Sequence, residues 1–271
     1  MKKININEVQ QIEIEMIRVV NKIFQKNNIV YYMSCGSCLG AIRHNGPIPW
    51  DADMDIIIPI NLFDKAINCL ENELPNQFRI HDYNHDKNYY HVFPRMALKN
   101  TNSDFLHIDI FPLIGMPDDE DEQIKYCKKI KKVGRTICNR FFRKYIAYPN
   151  FIKNCIGKFI EITCSPLSTK KLFARYDNLI RKYDYCNAKY VAENPLPYGI
   201  RSIIYKSIFD TPKYVEYDKI KVPVPQNYDY YLTTYYEKYL EYPSQKEIDD
   251  GLNFTMFIND KDYDNMKKII K

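Results

Sequence analysis

The first part of the chain has apolar residues at three- and four-residue steps, the spacing of an amphipathic helix. They are Val9, Ile12, Met16, Val19 and Ile23. This pattern predicts a helix over residues 7–26, and Asn7 with Gln10 suits a capping box at its start. The short β-rich run IVYYMS at 29–34 follows the helix.

Glycine and proline divide the segment after this run. Gly36 and Ser37 interrupt it, and CLGAIR at 38–43 predicts a short helix. The loop HNGPIPW then leads into DMDIIIP at 53–59, which reads as a strand that Pro59 ends. Residues 61–73 have a helical pattern.

The remaining chain alternates strand and helix patterns. Residues 91–100 and 105–111 predict two strands joined by the turn TNSD. An acidic turn and a long basic helix follow, and further helices are predicted at 150–163 and 169–183. Beyond residue 190, short strands lead into a tyrosine-rich helix. No repeat or linker divides the chain, so the order indicates one α+β domain.

Composition narrows the class of protein. The chain has 271 residues, 45% of them hydrophobic, and a net charge of +5. There is no apolar run of 18 residues and no signal-peptide pattern, so we expect neither a transmembrane helix nor a secreted protein. The eight cysteines are scattered, and only Cys35 and Cys38 are closely spaced. Reduced thiols and a cytoplasmic location are the expectation.

Positive charge is concentrated at 125–144, which carries nine Lys or Arg residues. A basic face of this kind suits an anionic membrane surface or an acidic substrate. A solvated helix face remains the alternative. The overall charge is too small to indicate a nucleic-acid partner.

Alternating aspartates are the clearest chemical signal. Residues two apart on a strand point to the same side, so Asp53 and Asp55 would project together. Asp109 lies between two isoleucines on a second predicted strand, where a neighbouring position would bring it beside that pair. Three carboxylates suit a hard cation such as Mg²⁺, with Mn²⁺ as the alternative ion. The alternative interpretation is that Asp109 is a hydrogen-bonded aspartate at the end of a strand.

Other interpretations of this stretch are weaker. A calcium loop starting at Asp51 would need glycine at position 56 and glutamate at position 62, where the chain has isoleucine and leucine. A redox pair of Cys35 and Cys38 would leave the aspartates unexplained. An Asp-x-Asp motif of a glycosyltransferase also binds Mg²⁺, but it does not normally follow a Gly-Ser turn.

The Gly36-Ser37 turn offers backbone N–H groups and a hydroxyl to a phosphate. Placed before an Asp-x-Asp strand and a later single aspartate, it resembles the nucleotidyltransferase superfamily with its polymerase-β-like mixed sheet. More closely, GSCLGAIRHNGPIPWDADMDIIIP at 36–59 resembles the signature of the LicD family of phosphocholine transferases, which includes fukutin-type proteins. The block IDIFPL at 108–113 and the C-terminal VPVPQNYDYYLTTYYEKYLEYP resemble further parts of the family.

Two departures from the family pattern stand out. Ala52 replaces the middle aspartate of the family's triple, and the Tyr-Gly-Asp-Tyr of its tail reads Tyr236-Glu237-Lys238-Tyr239 here. On a strand, residue 52 would point away from Asp53 and Asp55. The alanine would therefore leave that pair in place. The departures put donor or acceptor specificity in question more than the metal site.

The resemblance implies an enzyme that moves a phospho-alcohol group, typically phosphocholine, from a CDP-linked donor to a sugar hydroxyl. CMP would leave, and the acceptor would be a glycan precursor of lipopolysaccharide, capsule or teichoic acid. The reaction would take place in the cytoplasm, with residues 125–144 in peripheral contact with the inner face of the cell membrane. Choline, glycerol, ribitol and ethanolamine remain open as the donor alcohol.

The site residues implied fall into two groups. Asp51, Asp53, Asp55 and Asp109 form the catalytic group, with the last three as metal ligands and Asp51 as general base or second-metal ligand. The residues expected to contact the donor are Gly36, Ser37, Arg43, His44, Trp50, Arg95 and Lys99. Bracing the loop is the alternative role for His44 and Trp50, an ion pair for Arg43, and a solvated surface for Lys99.

We expect the single LicD-type domain to consist of a nucleotidyltransferase-like core at 1–118, a helical insertion at 119–190 and a segment at 191–271 that returns to the core. Two other functions remain open. One is a nucleotidyltransferase that attaches a nucleotide to a small acceptor and releases pyrophosphate. The other is a non-catalytic glycan- or nucleotide-binding module.

Overall fold

A mixed β-sheet forms the centre of the molecule. The computed structural model describes residues 1–99, 106–145, 167–253 and 255–269. The strands are β1 (Lys2–Asn5), β2 (Tyr32–Met33), β3 (Asp55–Pro59), β4 (Phe78–His81), β5 (Arg95–Leu98), β6 (His107–Met116), β7 (Tyr190–Glu193), β8 (Ile203–Tyr205), β9 (Lys213–Tyr217), β10 (Ile220–Val224) and β11 (Thr255–Ile258). The helices are α1 (Ile6–Lys26), α2 (Cys35–Arg43), α3 (Ile60–Glu73), α4 (Glu120–Tyr145), α5 (Thr169–Ile180), α6 (Tyr228–Tyr236), α7 (Gln245–Leu252) and α8 (Asp260–Ile269).

The main sheet has the order β2-β3-β6-β5-β4. Strands β3 and β6 are parallel, while β2 pairs with β3, and β5 with β6, in antiparallel fashion. The far half of β6 pairs with β7, which in turn pairs with β8. Strand β6 is therefore the central strand, and the predicted α+β class is confirmed.

Helices α1 and α3 pack against this centre. Helix α3 contacts β3 and β6, and α1 contacts α3 and β6. Their apolar stripes explain the packing, because Val9, Ile12 and Met16 are fully buried, as are Ala66 and Leu70. The predicted helix at 7–26 is confirmed as α1.

The predicted capping box of α1 was wrong by two residues. The N-cap is Asn5, whose side chain accepts a hydrogen bond from the Glu8 N–H, and Glu8 reciprocates. Gln10 is therefore not part of this cap. Its side chain is buried, with 7% of its surface exposed.

Helices α4 and α5 pack on each other. The Tyr126 hydroxyl donates to the Leu179 carbonyl oxygen at 2.6 Å. Gly134 allows close approach, because a Cβ there would lie 3.2 Å from the ring of Tyr176. The predicted helix at 169–183 is confirmed as α5, whereas the predicted helix at 150–163 and the turn at 101–104 lie outside the described residues.

Two small antiparallel ladders lie apart from the main sheet. One joins β9 to β10, and the other joins β1 to β11, the first and last strands. No helix in the described part of the chain is both long enough and apolar enough to cross a bilayer.

Candidate active site

The parallel pairing of β3 with β6 brings two predicted carboxylates together. In its register Asp55 is directly opposite Asp109. The Asp109 N–H donates to the Met54 carbonyl oxygen at 2.9 Å, which continues the ladder one step beyond Asp55. Because paired residues of neighbouring strands point to the same side of a sheet, the two side chains share one face.

Asp51 and Asp53 lie in the loop just before β3. The Asp53 N–H reaches the Asp51 side chain at 3.4 Å, and the Asp51 carbonyl oxygen accepts a hydrogen bond from Gln10 Nε2 at 2.7 Å. Gly36 makes room for Asp51, since a Cβ on that glycine would lie only 2.6 Å from an Asp51 carboxylate oxygen. Asp53 is exposed, whereas Asp51 and Asp55 are half-buried.

No salt bridge reaches the carboxylates near β3 from the described part of the chain. Burial, reinforced by the charge of Asp53, raises the pKa of Asp51 to about 6. Burial also raises the pKa of Asp55 well above its usual range, and the charges of Asp109 and Asp53 add to the rise. These shifts mean that negative charge here is costly without a cation.

Asp109 has a different environment, because two basic side chains contact it. Arg95 Nε lies 2.6 Å and His107 Nε2 lies 3.1 Å from the same oxygen, Asp109 Oδ1. Burial pushes the pKa of Asp109 up, but His107 and Arg95 outweigh it and hold the pKa below its usual value. Arg95, predicted as a phosphate contact, is thus engaged with Asp109.

The turn from β2 into α2 is held by a buried hydrogen-bond network. Ser34 Oγ donates to Glu193 Oε2 at 2.9 Å, and the Cys35 N–H donates to the Tyr231 hydroxyl at 2.9 Å. Tyr231 in turn donates to Glu193. Cys35 has a φ of +44°, a left-handed conformation that is unfavourable for a non-glycine residue and often marks functional sites.

Gly36 and Ser37, the predicted phosphate-binding pair, stand in the first turn of α2 directly beside the carboxylates. Ser37 Oγ accepts a hydrogen bond from the Asp55 N–H at 2.8 Å, which fixes the start of α2 to the start of β3. The structure therefore brings Gly36, Ser37, Asp51 and Asp55 into one place. Their contact with a phosphate stays a prediction.

Arg43, His44 and Trp50 form an aromatic cluster with Tyr242. Arg43 Nη1 donates to the carbonyl oxygens of Tyr239 and Glu241, at 2.9 Å each, and its guanidinium carbon lies 4.9 Å from the Tyr242 ring centre. His44 meets Trp50 edge-on at 5.5 Å. These contacts attach the C-terminal segment to the loop, so the cluster has a bracing role in addition to its predicted contact with the donor.

Lys99 is exposed at the far end of β5, where its N–H donates to the Gln77 carbonyl oxygen at 2.7 Å. Four residues of extended chain separate it from Arg95, a distance of about 13 Å. The structure does not bring Lys99 to the carboxylates. Its exposure agrees with the alternative prediction of a solvated side chain.

Three polar residues at this site were missing from the prediction: Glu13, His107 and Glu193. His107 was visible in the sequence, because it alternates with Asp109 on the same strand. Glu13 also had a signal, since it lies four residues after Val9 and three before Met16, on the apolar face of α1. Glu193 had none, because only the pairing of β7 with β6 brings it to Ser34.

The chain is similar to a family model over part of its length and to one known protein over most of it. Residues 28–146 match the family described as LicD/FKTN/FKRP, nucleotidyltransferase domain. The chain is 22% identical over 257 residues to the lipopolysaccharide cholinephosphotransferase LicD of Haemophilus influenzae, covering 91% of this chain and 96% of that protein. The chain therefore carries a LicD family domain, which confirms the resemblance drawn from the sequence.

Shorter similarities extend to two uncharacterized proteins of Rickettsia. The match to a protein of Rickettsia typhi is 38% identical over 56 residues and covers 18% of that protein. The match to a protein of Rickettsia prowazekii is 43% identical over 42 residues and covers 16% of it. These matches are local and add nothing about activity.

Proposed function

We propose that this protein is a Mg²⁺-dependent phosphotransferase built on a nucleotidyltransferase fold. It moves a phospho-alcohol group, phosphocholine in the first place, from a CDP-linked donor to a sugar hydroxyl of a cell-surface glycan, and CMP is the second product. The acceptor is a precursor of lipopolysaccharide, capsule or teichoic acid. The observation that carries the proposal is the register that pairs Asp55 with Asp109 beside Asp51, Asp53 and the Gly36-Ser37 turn.

The carboxylates fit a hard divalent cation. Asp51, Asp53, Asp55 and Asp109 offer oxygen ligands only, which Mg²⁺ prefers, and Mn²⁺ is the alternative ion. The raised pKa of Asp55, caused by burial and by its acidic neighbours, is what a carboxylate shows where a positive charge is missing. We assign the cation to Asp53, Asp55 and Asp109. When bound, it neutralises charge on the phosphate oxygens during transfer.

The protein's own residues divide the remaining work. The acceptor hydroxyl oxygen forms a bond to the phosphorus that carries the alcohol, and the bond from that phosphorus to the CMP oxygen breaks. Asp51 is the candidate to take the hydroxyl proton, because Gln10 fixes its backbone and Gly36 leaves space for its carboxylate. Asp51 as a second-metal ligand remains the alternative. The first turn of α2 faces the donor phosphates.

A nucleotidyltransferase reaction is the second candidate, because the matching family is described by that domain. The two reactions differ in product. Phosphotransfer from a CDP-alcohol releases CMP, whereas nucleotide transfer from a nucleoside triphosphate releases pyrophosphate. A non-catalytic binding module would bind a donor and release neither.

Helix α4 is proposed to contact anionic lipid at the inner face of the cell membrane, where the glycan precursor is handled. Its Lys128, Lys129, Lys131, Lys132 and Arg135 are exposed. Vesicles with phosphatidylserine should co-sediment the protein, and replacing Lys128 and Lys132 by glutamate should weaken this binding about tenfold. Equal binding to neutral vesicles would contradict the membrane role and leave the enzymatic proposal intact.

The proposed activity is tested with a panel of CDP-choline, CDP-ethanolamine, CDP-glycerol and CDP-ribitol. With Mg²⁺ present, the correct donor should raise the melting temperature and release CMP when a glycan acceptor is added. Asp53→Ala should abolish turnover, while Asp121→Asn, a change of an exposed aspartate on α4, should leave it unchanged. Near wild-type turnover by Asp53→Ala would contradict the metal assignment, and pyrophosphate release would favour the second candidate.

A further inference from the structure

Glu13 is a buried carboxylate for which the proposed reaction has so far given no role. It lies in the second turn of α1 and is 1% exposed. Its Oε1 has no hydrogen-bond partner among the described residues. A buried carboxylate oxygen without a hydrogen-bond partner is unfavourable, so Glu13 Oε1 calls for a compensating interaction.

The position of α1 brings Glu13 to the candidate active site. Gln10, one turn earlier on the same face, donates from Nε2 to the carbonyl oxygens of Ile48 at 2.8 Å and Asp51 at 2.7 Å. These two bonds fix α1 against the loop that carries Asp51 and Asp53. Residues three apart on a helix are neighbours, so Glu13 is held beside the same loop.

The charges that act most strongly on Glu13 are negative. After burial, the groups that raise the pKa of Glu13 are the carboxylates of Asp53, Asp51, Asp55 and Asp109, in decreasing order. By contrast, Asp109 has Arg95 and His107 to balance it. Carboxylates of the loop, β3 and β6 thus act on Glu13 of α1, and among the described residues the salt bridges of this group are those of Asp109.

We propose that Glu13 is a positioning residue of the cation site, whose carboxylate accepts hydrogen bonds from water in the hydration shell of the divalent cation. This inference rests on the proposed function. Mg²⁺ usually keeps several of its waters, so a carboxylate beyond those assigned to the cation would act through that water. Outer-shell partners of this kind typically change metal affinity by about 10- to 100-fold.

The test measures cation binding without substrate. Glu13→Gln keeps the shape and removes the charge, and Glu13→Met also removes the hydrogen-bonding atoms. Glu15→Gln is the matched control, because Glu15 lies on the same helix with a side chain 36% exposed and paired with Arg18. Mg²⁺ and Mn²⁺ are titrated by calorimetry, and the melting temperature is recorded with each ion and with EDTA.

Both Glu13 variants should weaken cation binding by about tenfold or more relative to wild type. In EDTA at pH 8 their melting temperatures should equal or exceed that of the wild type, because a buried charge has been removed. Glu15→Gln should match the wild type in both measurements.

Cation affinities within twofold of wild type for both Glu13 variants would overturn this inference alone and make Glu13 a structural carboxyl group. Failure of both variants to fold would overturn it as well, because Glu13 would then be needed for the fold itself. If the wild type shows no cation binding by either method, the metal requirement of the proposed function falls together with the inference.

Discussion

Asp55 and Asp109 are direct neighbours in the sheet but have opposite surroundings. Asp55 is influenced by other carboxylates, and its pKa lies well above the usual range because of burial and these neighbours. Asp109 is paired with Arg95 and His107, which hold its pKa below the usual value despite burial. Within the described ranges, Asp55 on β3 therefore has no salt bridge, whereas Asp109 is paired with Arg95 of β5.

This difference indicates where a cation would do most to stabilise the protein. Both basic groups contact Asp109 Oδ1, whereas within the described residues Oδ2 has a 3.5 Å contact with Arg95 Nη2. Asp109 Oδ2 is the less engaged oxygen, so it would be the one available to the proposed cation. Each of the following predictions would sharpen or break this contrast.

Asp55→Asn should have the largest effect on activity. Removing a carboxylate proposed to hold the cation should lower turnover by about 10³-fold or more, equivalent to about 4 kcal/mol of transition-state stabilisation. In EDTA the variant should melt at a higher temperature than the wild type, because like-charge repulsion is relieved. CMP release and calorimetry measure the two effects. A variant that is less stable in EDTA would contradict the claim that negative charge is uncompensated at β3.

Asp109→Asn should destabilise the protein where Asp55→Asn does not. The change leaves Arg95, whose side chain is 14% exposed, as a buried charge without its partner. Breaking such a pair typically costs about 3 kcal/mol. Urea unfolding in EDTA measures the loss. If the two asparagine variants shift stability in the same direction, the two sides of the site do not differ as described.

Between pH 6.5 and 4.5, the free energy of unfolding should fall by about 2 kcal/mol less in His91→Phe than in the wild type. Burial, with the charge of Arg95, lowers the pKa of His91 to about 3. The folded protein keeps this ring neutral while the unfolded chain takes up a proton below about pH 6.5, so stability is lost as the pH falls from 6.5 towards 3.

Phenylalanine preserves the ring packing of His91, which lies 4.1 Å from the Tyr90 ring centre. Denaturant titrations at several pH values, with His85→Phe as an exposed comparison, measure the effect. An unchanged slope of stability against pH would show that His91 is protonated in the folded state. The positive charge described on the β5 side would then not be what keeps His91 neutral.

Arg43→Met should have the smallest effect. It removes the two hydrogen bonds to the Tyr239 and Glu241 carbonyl oxygens, which contribute about 1 kcal/mol each. Amide exchange should increase at 239–242, while Mg²⁺ affinity stays within twofold of wild type. A marked loss of donor binding would support the predicted role of Arg43 at the phosphate.

The sequence predicted the part of the site that depends on local alternation. The strand predicted at 53–59 begins at Asp55 in the structure, so Asp53 lies in the preceding loop and does not share a strand with Asp55. Asp109 alternates with Ile108 and Ile110, and Asp55 precedes a continuous apolar run, which was enough to expect these two carboxylates on neighbouring strands. Their assignment as metal ligands stays a prediction.

Contacts between distant segments could not be read in this way. Glu193 reaches Ser34 only because β7 pairs with the far half of β6, and the sequence has no signal for that pairing. The short strands β1 and β11 pair across almost the whole chain, so neither was expected. The N-cap of α1 was misplaced because Asn5 and Asn7 both suit the position, and only the partner Glu8 decides between them.

The pairing of β1 with β11 has a consequence for proteins shortened at their C-terminus. Helix α1 starts immediately after β1, and Lys267 of α8 forms an ion pair with Glu8 of α1 at 2.6 Å. Cutting the chain after Asn253 would remove no aspartate of the candidate active site, yet it would detach the anchor of the helix that bears Gln10 and Glu13. Loss of activity in a nonsense allele near the C-terminus would then reflect an untethered helix, not a missing contact with substrate.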